Sequence, residues 1–292
     1  MHQILVIGLG YAGQAVACRA ATQGWAVTGT KRDPGPLPPT PGVRVIAFAD
    51  AGDAIARASH LLVTAQPGEG GDPVLAAHGP AIAAALAAGS LAWIGYVSST
   101  GVYGDRDGAW VDEATPPAPG QPRTRRRLEA EAVWRAMADR RAALDILRAG
   151  GIYGPRNSVF DELRAGTARH VVKPGHLFSR IHRDDIALAC CAAMAQPRPA
   201  APRVLHLVDD VPVESAVVVK AAAALLGIAP PPPVPYEQAL PRMSDMARSF
   251  WSENRRVANA ATKAALRIQW QYPSWREGLA AILAEETRDT AL

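Results

Sequence analysis

Cysteine is scarce: 292 residues contain three. Cys18 falls in an expected helix, and Cys190 and Cys191 stand side by side in another, where neighbouring side chains point to different faces. No CxxC or Cys/His spacing suggests a metal, so these read as small buried side chains suited to a reducing cytoplasm. Long apolar runs are missing too; no stretch of about 18 residues without breakers is there to span a membrane. The chain enters a strand at once with "HQILVIGLG", which leaves no room for a signal peptide. Neither charge sign dominates: the formal net charge is +4, and the densest basic run, Arg123 to Arg127, is followed by Glu129 and Glu131. That run reads as a solvated helix start or an anion site, not a nucleic-acid-binding tract. No internal repeat occurs.

What is present is ordinary globular material, 49% apolar and 20% charged, long enough for one large domain or a main domain with a smaller lobe. Short apolar runs at 4–7, 25–30, 43–48, 60–64, 92–98 and 144–149 read as strands. Their lack of alternation fits burial on both faces of a parallel sheet. Helices are expected near 11–23, 53–58, 73–88 and 124–140; the third opens with Asp72-Pro73, a cap followed by proline at the first helical position. The repeated strand–helix units predict an α/β fold with a Rossmann-type doubly wound parallel sheet and a smaller C-terminal substrate lobe. The expected dinucleotide-binding domain covers 1–154, and 183–209 adds a helix and a strand to it. The lobe takes 155–182 and 210–292. Within it we expect a helix near 158–166, a hairpin at 171–181, a helix over 214–226 and a last helix after Pro273.

"VIGLGYAG" gives Gly8-x-Gly10-x-x-Gly13 after a strand and at a helix start, with Tyr11 and Ala12 inside the turn. Gly8 allows the tight turn, Gly10 lets a pyrophosphate approach the backbone, and Gly13 lets the helix pack on the sheet. The helix N-terminus offers free N–H groups to the phosphates. An NAD site normally has Asp or Glu at the end of the second strand; here the residues are Thr30, Lys31 and Arg32. A hydroxyl and a guanidinium suit a 2′-phosphate, so NADP is favoured over NAD, although the two cations also read as a solubilised loop. Asp50 could accept from the adenine amino group, or be a surface turn. The small residues of Ala65-Gln66-Pro67 would let the backbone run close to the cofactor ribose.

"GLGYAG", "VSSTGVYGD", "LRAGGIYGP", "SRIHRDDIA" and the late "NRRVAN" and "YPSWREGL" together resemble the extended short-chain dehydrogenase/reductase superfamily. The match is to its epimerase and dehydratase side, in an atypical bacterial branch. The resemblance implies that Ser99, flanked by Ser98 and Thr100, polarises a substrate oxygen. It also calls for a Tyr-x-x-x-Lys pair, whose lysine lowers the phenol pKa so that a proton moves as hydride moves. Aligned on "LEAE" (128–131), those places hold Arg123 and Arg127. Arg127 could bind the nicotinamide ribose, but arginine stays protonated and cannot act as the acid or base. Tyr103 and Tyr153 end strands and are substitutes to consider, although such tyrosines usually pack the loop or shape the pocket. Gly154-Pro155 would hold the loop under the nicotinamide. Arg156, Asn157, Lys173, Ser179, Arg180 and His182 are expected around the substrate; a solvated rim explains the first five as well, and a hydrogen-bonded structural role the histidine. Asp184 or Asp185 reads chiefly as a helix cap.

Two functions follow. One is an NADP-dependent oxidoreductase, or an epimerase or dehydratase using bound NADP, acting on a polar carbonyl or alcohol, free or nucleotide-linked. The other is a non-catalytic NADP-binding redox sensor or regulatory protein. A homodimer is implied by the resemblance alone, while nucleic acid and membrane are not expected partners.

Overall fold

Each of the six apolar runs read as strands joins one parallel sheet, and the strand expected within 183–209 is its seventh member. The computed structural model describes residues 2–33, 40–199 and 201–290. The strands of the first half are β1 (Gln3–Ile7), β2 (Ala26–Lys31), β3 (Val43–Ala47), β4 (His60–Val63), β5 (Trp93–Ser99) and the short β6 (Trp110–Val111). Then come β7 (Ala143–Ala149), β8 (Gly151–Tyr153), β9 (Val171–Val172), β10 (Arg180–His182), β11 (Arg203–Leu207), β12 (Val234–Pro235) and β13 (Arg256–Val257). The main sheet runs β11-β7-β5-β4-β1-β2-β3, so the strand order reverses between β1 and β4. In this architecture ligands bind in the crevice outside the strand ends at such a reversal.

Helices α1 (Tyr11–Thr22), α2 (Gly52–Arg57), α3 (Pro73–Ala87) and α4 (Pro122–Ala138) link these strands. Asp72 caps α3 by accepting from the Val74 and Leu75 amides, and its second oxygen accepts from the buried indole of Trp134 at 2.8 Å. α5 (Val159–Arg164), α6 (Arg183–Met194), α7 (Ser215–Leu225), α8 (Tyr236–Ala239), α9 (Asp245–Trp251), α10 (Ala260–Leu266) and α11 (Trp275–Thr290) complete the chain. One face of the sheet buries Ile4, Val6 and Leu147 against α1 and α6; the other buries Leu61, Ile94 and Ile146 against α2, α3 and α4. A separate core gathers Phe160 and Leu163 of α5, Val219 and Ala222 of α7, and Trp275 and Leu279 of α11. Asp185, inside α6, accepts from the Gln271 and Tyr272 amides and so fastens the chain entering α11 to the sheet's helical layer.

The hairpin expected at 171–181 does not form. Its first arm, β9, pairs in parallel with β12, and its second, β10, pairs in parallel with β8. The Lys173-Pro174-Gly175 segment makes a local turn, but distant strands offer both arms their backbone partners. Residues 1, 200, 291 and 292, at the ends of the expected domains and within the linker before β11, lie outside the described residues. Among the described residues no helix is long and apolar enough to cross a membrane.

Candidate nucleotide and substrate cleft

The glycine turn is fixed by what a side chain would strike. Gly8 has φ +104°, and a Cβ there would lie 2.5 Å from Thr64 Oγ1; one on Gly13 would lie 2.2 Å from the Gly8 carbonyl oxygen. A Cβ on Gly10 would meet nothing within 4 Å, so that side of the turn is open. No side chain caps α1, which leaves its first amides facing the opening. Open space beside unspent N–H groups at a helix start fits a dinucleotide pyrophosphate.

Two cavities meet at Gly10, Thr64 and Gln66. The smaller, about 490 Å³, runs over the ends of β5 and β7 and is also walled by Tyr11, Ala12, Gly13, Ser98, Ser99, Arg123, Arg127, Ser179 and Arg180. The other, about 650 Å³, is walled by Gly8, Thr30, Lys31, Arg32, Asp33, Phe48 and Ala65. They would take the nicotinamide end with the substrate and the adenosine end, respectively. Thr30 is nearly sealed; its hydroxyl accepts from the Gly8 amide at 3.2 Å and thereby braces the glycine turn. Asp50 lines a different groove beyond β3, so Phe48, not Asp50, borders the adenosine cavity. Pro67, Gly154 and Pro155 line neither cavity. Gly154 and Pro155 act one layer back: the Pro155 carbonyl accepts from the Tyr11 hydroxyl at 2.9 Å, and a Cβ on Gly154 would come within 2.6 Å of that hydroxyl.

At the reaction end, Ser99 Oγ accepts from the Gly101 amide at 3.1 Å, which leaves its own proton free to donate. Ser98 faces the other way, donating to Glu131 at 2.5 Å. Arg127 sits on α4 with Nη1 donating to the Val97 carbonyl at 2.9 Å. Arg123 lies one turn earlier, its guanidinium 4.6 Å over the Phe250 ring. Among the described residues it makes no hydrogen bond or ion pair. Among the wall residues not expected from the sequence are Phe250, Glu253 and Arg255, around the loop between α9 and β13. The charged cluster in "SENRR" was the only sequence signal for the last two. Arg255 donates to the Gly104 carbonyl at 2.8 Å and to Glu253 Oε2 at 3.0 Å, while Glu253 Oε1 is buried without a partner. Burial holds the Arg123 and Arg255 guanidiniums below their usual pKa, and neighbouring arginines add to the effect.

Neither substitute phenol reaches the cleft. The Tyr103 ring is fully buried, and its hydroxyl donates to the Asp112 carbonyl, accepts from Arg148 at 2.7 Å and meets His206 Nε2 at 2.6 Å. Tyr153 turns into the lobe core, its buried hydroxyl unpartnered and its pKa pushed up chiefly by burial. Tyr11 is the one tyrosine in the wall. Its hydroxyl already donates to Pro155, and burial pushes its pKa up to about 12.

The other expected substrate residues divide. Ser179 and Arg180 line the cleft, with Arg180 donating to the Phe178 and Val213 carbonyls. Arg156 and Asn157 line a neighbouring groove of the lobe instead, and Asn157 donates to the Ile152 carbonyl. Lys173 is held by the Trp251 carbonyl at 2.6 Å, with its ammonium over the Tyr236 ring. His182 is buried as the cap of α6, accepting from the Asp184 amide, so neither aspartate beside it is the cap. Burial pushes its pKa down to about 4. Among the described residues no group of His, Cys, Asp or Glu could hold a metal ion.

No protein-family model matches the chain, and no curated protein does. Solved structures do. A conserved protein of unknown function from Silicibacter pomeroyi is 41% identical with a TM-score of 0.89, and the match covers 98% of this chain and 99% of that one. A Methylobacillus flagellatus protein assigned as an NAD-dependent epimerase/dehydratase is 28% identical with a TM-score of 0.71, covering 98% and 99%. The human epimerase family protein SDR39U1 with NADPH is 19% identical with a TM-score of 0.74, covering 96% and 98%.

Proposed function

The chain belongs to the epimerase/dehydratase-like, NAD(P)-binding branch of the short-chain dehydrogenase/reductase superfamily, as an atypical member without the Tyr-x-x-x-Lys pair, and from that premise we propose that it is an NADP-dependent oxidoreductase or epimerase acting on a small polar carbonyl or alcohol. The observation that carries this reading is the free Ser99 hydroxyl, standing in the same cleft as the open glycine turn. When bound, the nicotinamide supplies hydride acceptance or donation. Ser99 donates a hydrogen bond to the reacting oxygen, and Arg127 adds fixed positive charge beside it. Proton exchange goes through water at Ser99 or through Glu253, the one carboxylate in the cleft wall.

Lys31 and Arg32 beside the adenosine cavity support NADP over NAD. A second reading, an NADP-holding sensor without turnover, draws its support from the phenols: the one tyrosine in the wall already donates its proton to Pro155. The test is a fluorescence titration with NADPH and NADH, followed by a panel of carbonyl compounds offered to the wild type and to Ser99→Ala. We expect NADPH to bind at least about tenfold tighter, and turnover to fall in the serine variant. Equal affinity for the two cofactors overturns the NADP assignment, and equal turnover by Ser99→Ala overturns the role of the serine.

A further inference from the structure

Positive charge in the cleft wall exceeds what the protein itself neutralises. Four arginines line it, Arg123, Arg127, Arg180 and Arg255, against the single carboxylate of Glu253. Glu253 is 8% exposed, and its Oε2 is already engaged by Arg255. Arg127 and Arg180 spend donors on backbone carbonyls. Among the described residues, the guanidinium of Arg123 is stacked on Phe250 with its N–H groups uncommitted, and no bond to the second terminal nitrogen of Arg255 is formed. A half-buried cation cluster of this kind is costly without an anion to complete it.

The position of the surplus matters more than its size. A Cβ built on Gly101 would lie 3.2 Å from Ser99 Oγ and 3.7 Å from that free Arg255 nitrogen. The hydroxyl that holds the reacting oxygen and the uncommitted cation are therefore neighbours. Arg123 reaches the same corner from α4, where the Glu253 carboxylate attracts its charge.

We propose that Arg123 and Arg255 bind a carboxylate carried by the substrate next to its reacting carbon, so that the substrate is a small hydroxy or oxo acid. The inference rests on the reading that Ser99 holds the reacting oxygen. A planar carboxylate matches the guanidinium fork. The cleft of about 490 Å³ is shared with the nicotinamide end of the cofactor, which leaves room for a small molecule. Arg123 and Arg255 against Glu253 leave one positive charge at this corner, which a single carboxylate matches and a doubly charged phosphate exceeds.

The experiment is isothermal titration of the full-length protein, with and without saturating NADPH, using L-lactate, its neutral isostere lactamide, and inorganic phosphate. We expect lactate to bind at least about tenfold tighter than lactamide. Arg123→Gln should remove about ten- to a hundredfold of lactate affinity and shift NADPH affinity less than about threefold. Because, among the described residues, Arg123 holds no other part of the protein by a hydrogen bond, the variant should fold, which circular dichroism checks. Equal binding of lactate and lactamide overturns the proposal, as does lactate affinity unchanged in Arg123→Gln. Absence of saturable lactate binding in a protein that binds NADPH overturns it as well. Phosphate binding about tenfold tighter than lactate replaces the carboxylate with a phosphate. Failure to bind NADPH sinks the functional reading instead, and the lactate–lactamide comparison without cofactor still decides the anion site.

Discussion

Ser98 and Ser99 are adjacent on β5, and their hydroxyls enter two polar clusters built on opposite principles. Behind the strand, Ser98, Glu131, Arg148, Tyr103 and His206 form a closed chain. Glu131 receives Ser98 and two Arg148 nitrogens, Arg148 reaches Tyr103, and Tyr103 reaches His206, whose other nitrogen meets the Ala258 carbonyl. Arg148 and Glu131 are 3% and 1% exposed, yet their charges oppose each other and their donors are matched. In front, Ser99, Arg123, Arg255 and Glu253 leave donors and an acceptor uncommitted in a cleft. Both clusters contain the residue types that suggest catalysis. The closed one is structure, because nothing in it is left to offer; the open one is where a ligand gains by arriving.

Breaking the closed cluster should have the largest effect. Glu131→Ala leaves Arg148 buried and unpaired, and we expect a loss of about 3–5 kcal/mol in unfolding free energy, measured by urea denaturation. A loss below about 1 kcal/mol would mean that the network does not fasten α4 to β5 and β7. Tyr103→Phe removes one hydroxyl from the same chain and should cost about 1–3 kcal/mol, with NADPH affinity unchanged. A large loss of turnover without loss of stability would instead return Tyr103 to catalysis.

Buried histidines outside the cleft sharpen the comparison. His60, His176 and His182 are held neutral by burial, each with its pKa pushed down to about 4. Because the folded values lie below the unfolded value of 6.5, their contribution to stability is complete above pH 6.5 and is lost as pH falls through about 4. Urea midpoints measured across that window should fall with acid, and His176→Asn should flatten part of the slope. The smallest effect belongs to the open cluster: Arg123→Gln should change stability by no more than about 0.5 kcal/mol. A larger loss would make that arginine structural.

The same contrast explains how much could be read in advance. The sheet was legible because apolar runs such as "ILVI" can be buried only on both faces, and the glycine turn because its spacing follows from one local geometry. Arg123 and Arg127 were legible as replacements within a helix. Glu253 and Arg255 were not, since only the folded chain carries the loop before β13 across to β5. Tyr153 and His182 stood at strand ends, as site residues do, but their rings turned into the lobe core and lie 5.3 Å apart, edge to face. The false hairpin came from a Pro-Gly turn whose flanking arms found partners far along the chain.

The three glycines of the turn carry different kinds of information. In a library randomised at 8, 10 and 13 and selected only for folding, Gly8 and Gly13 should return as glycine, because backbone or a packed threonine occupies the place of the first carbon. Position 10 should return a mixed alphabet, since nothing stands within 4 Å of it. Glycine would become compulsory there only under selection for the nucleotide, so one motif records two separate selective histories, one written by the fold and one by its ligand.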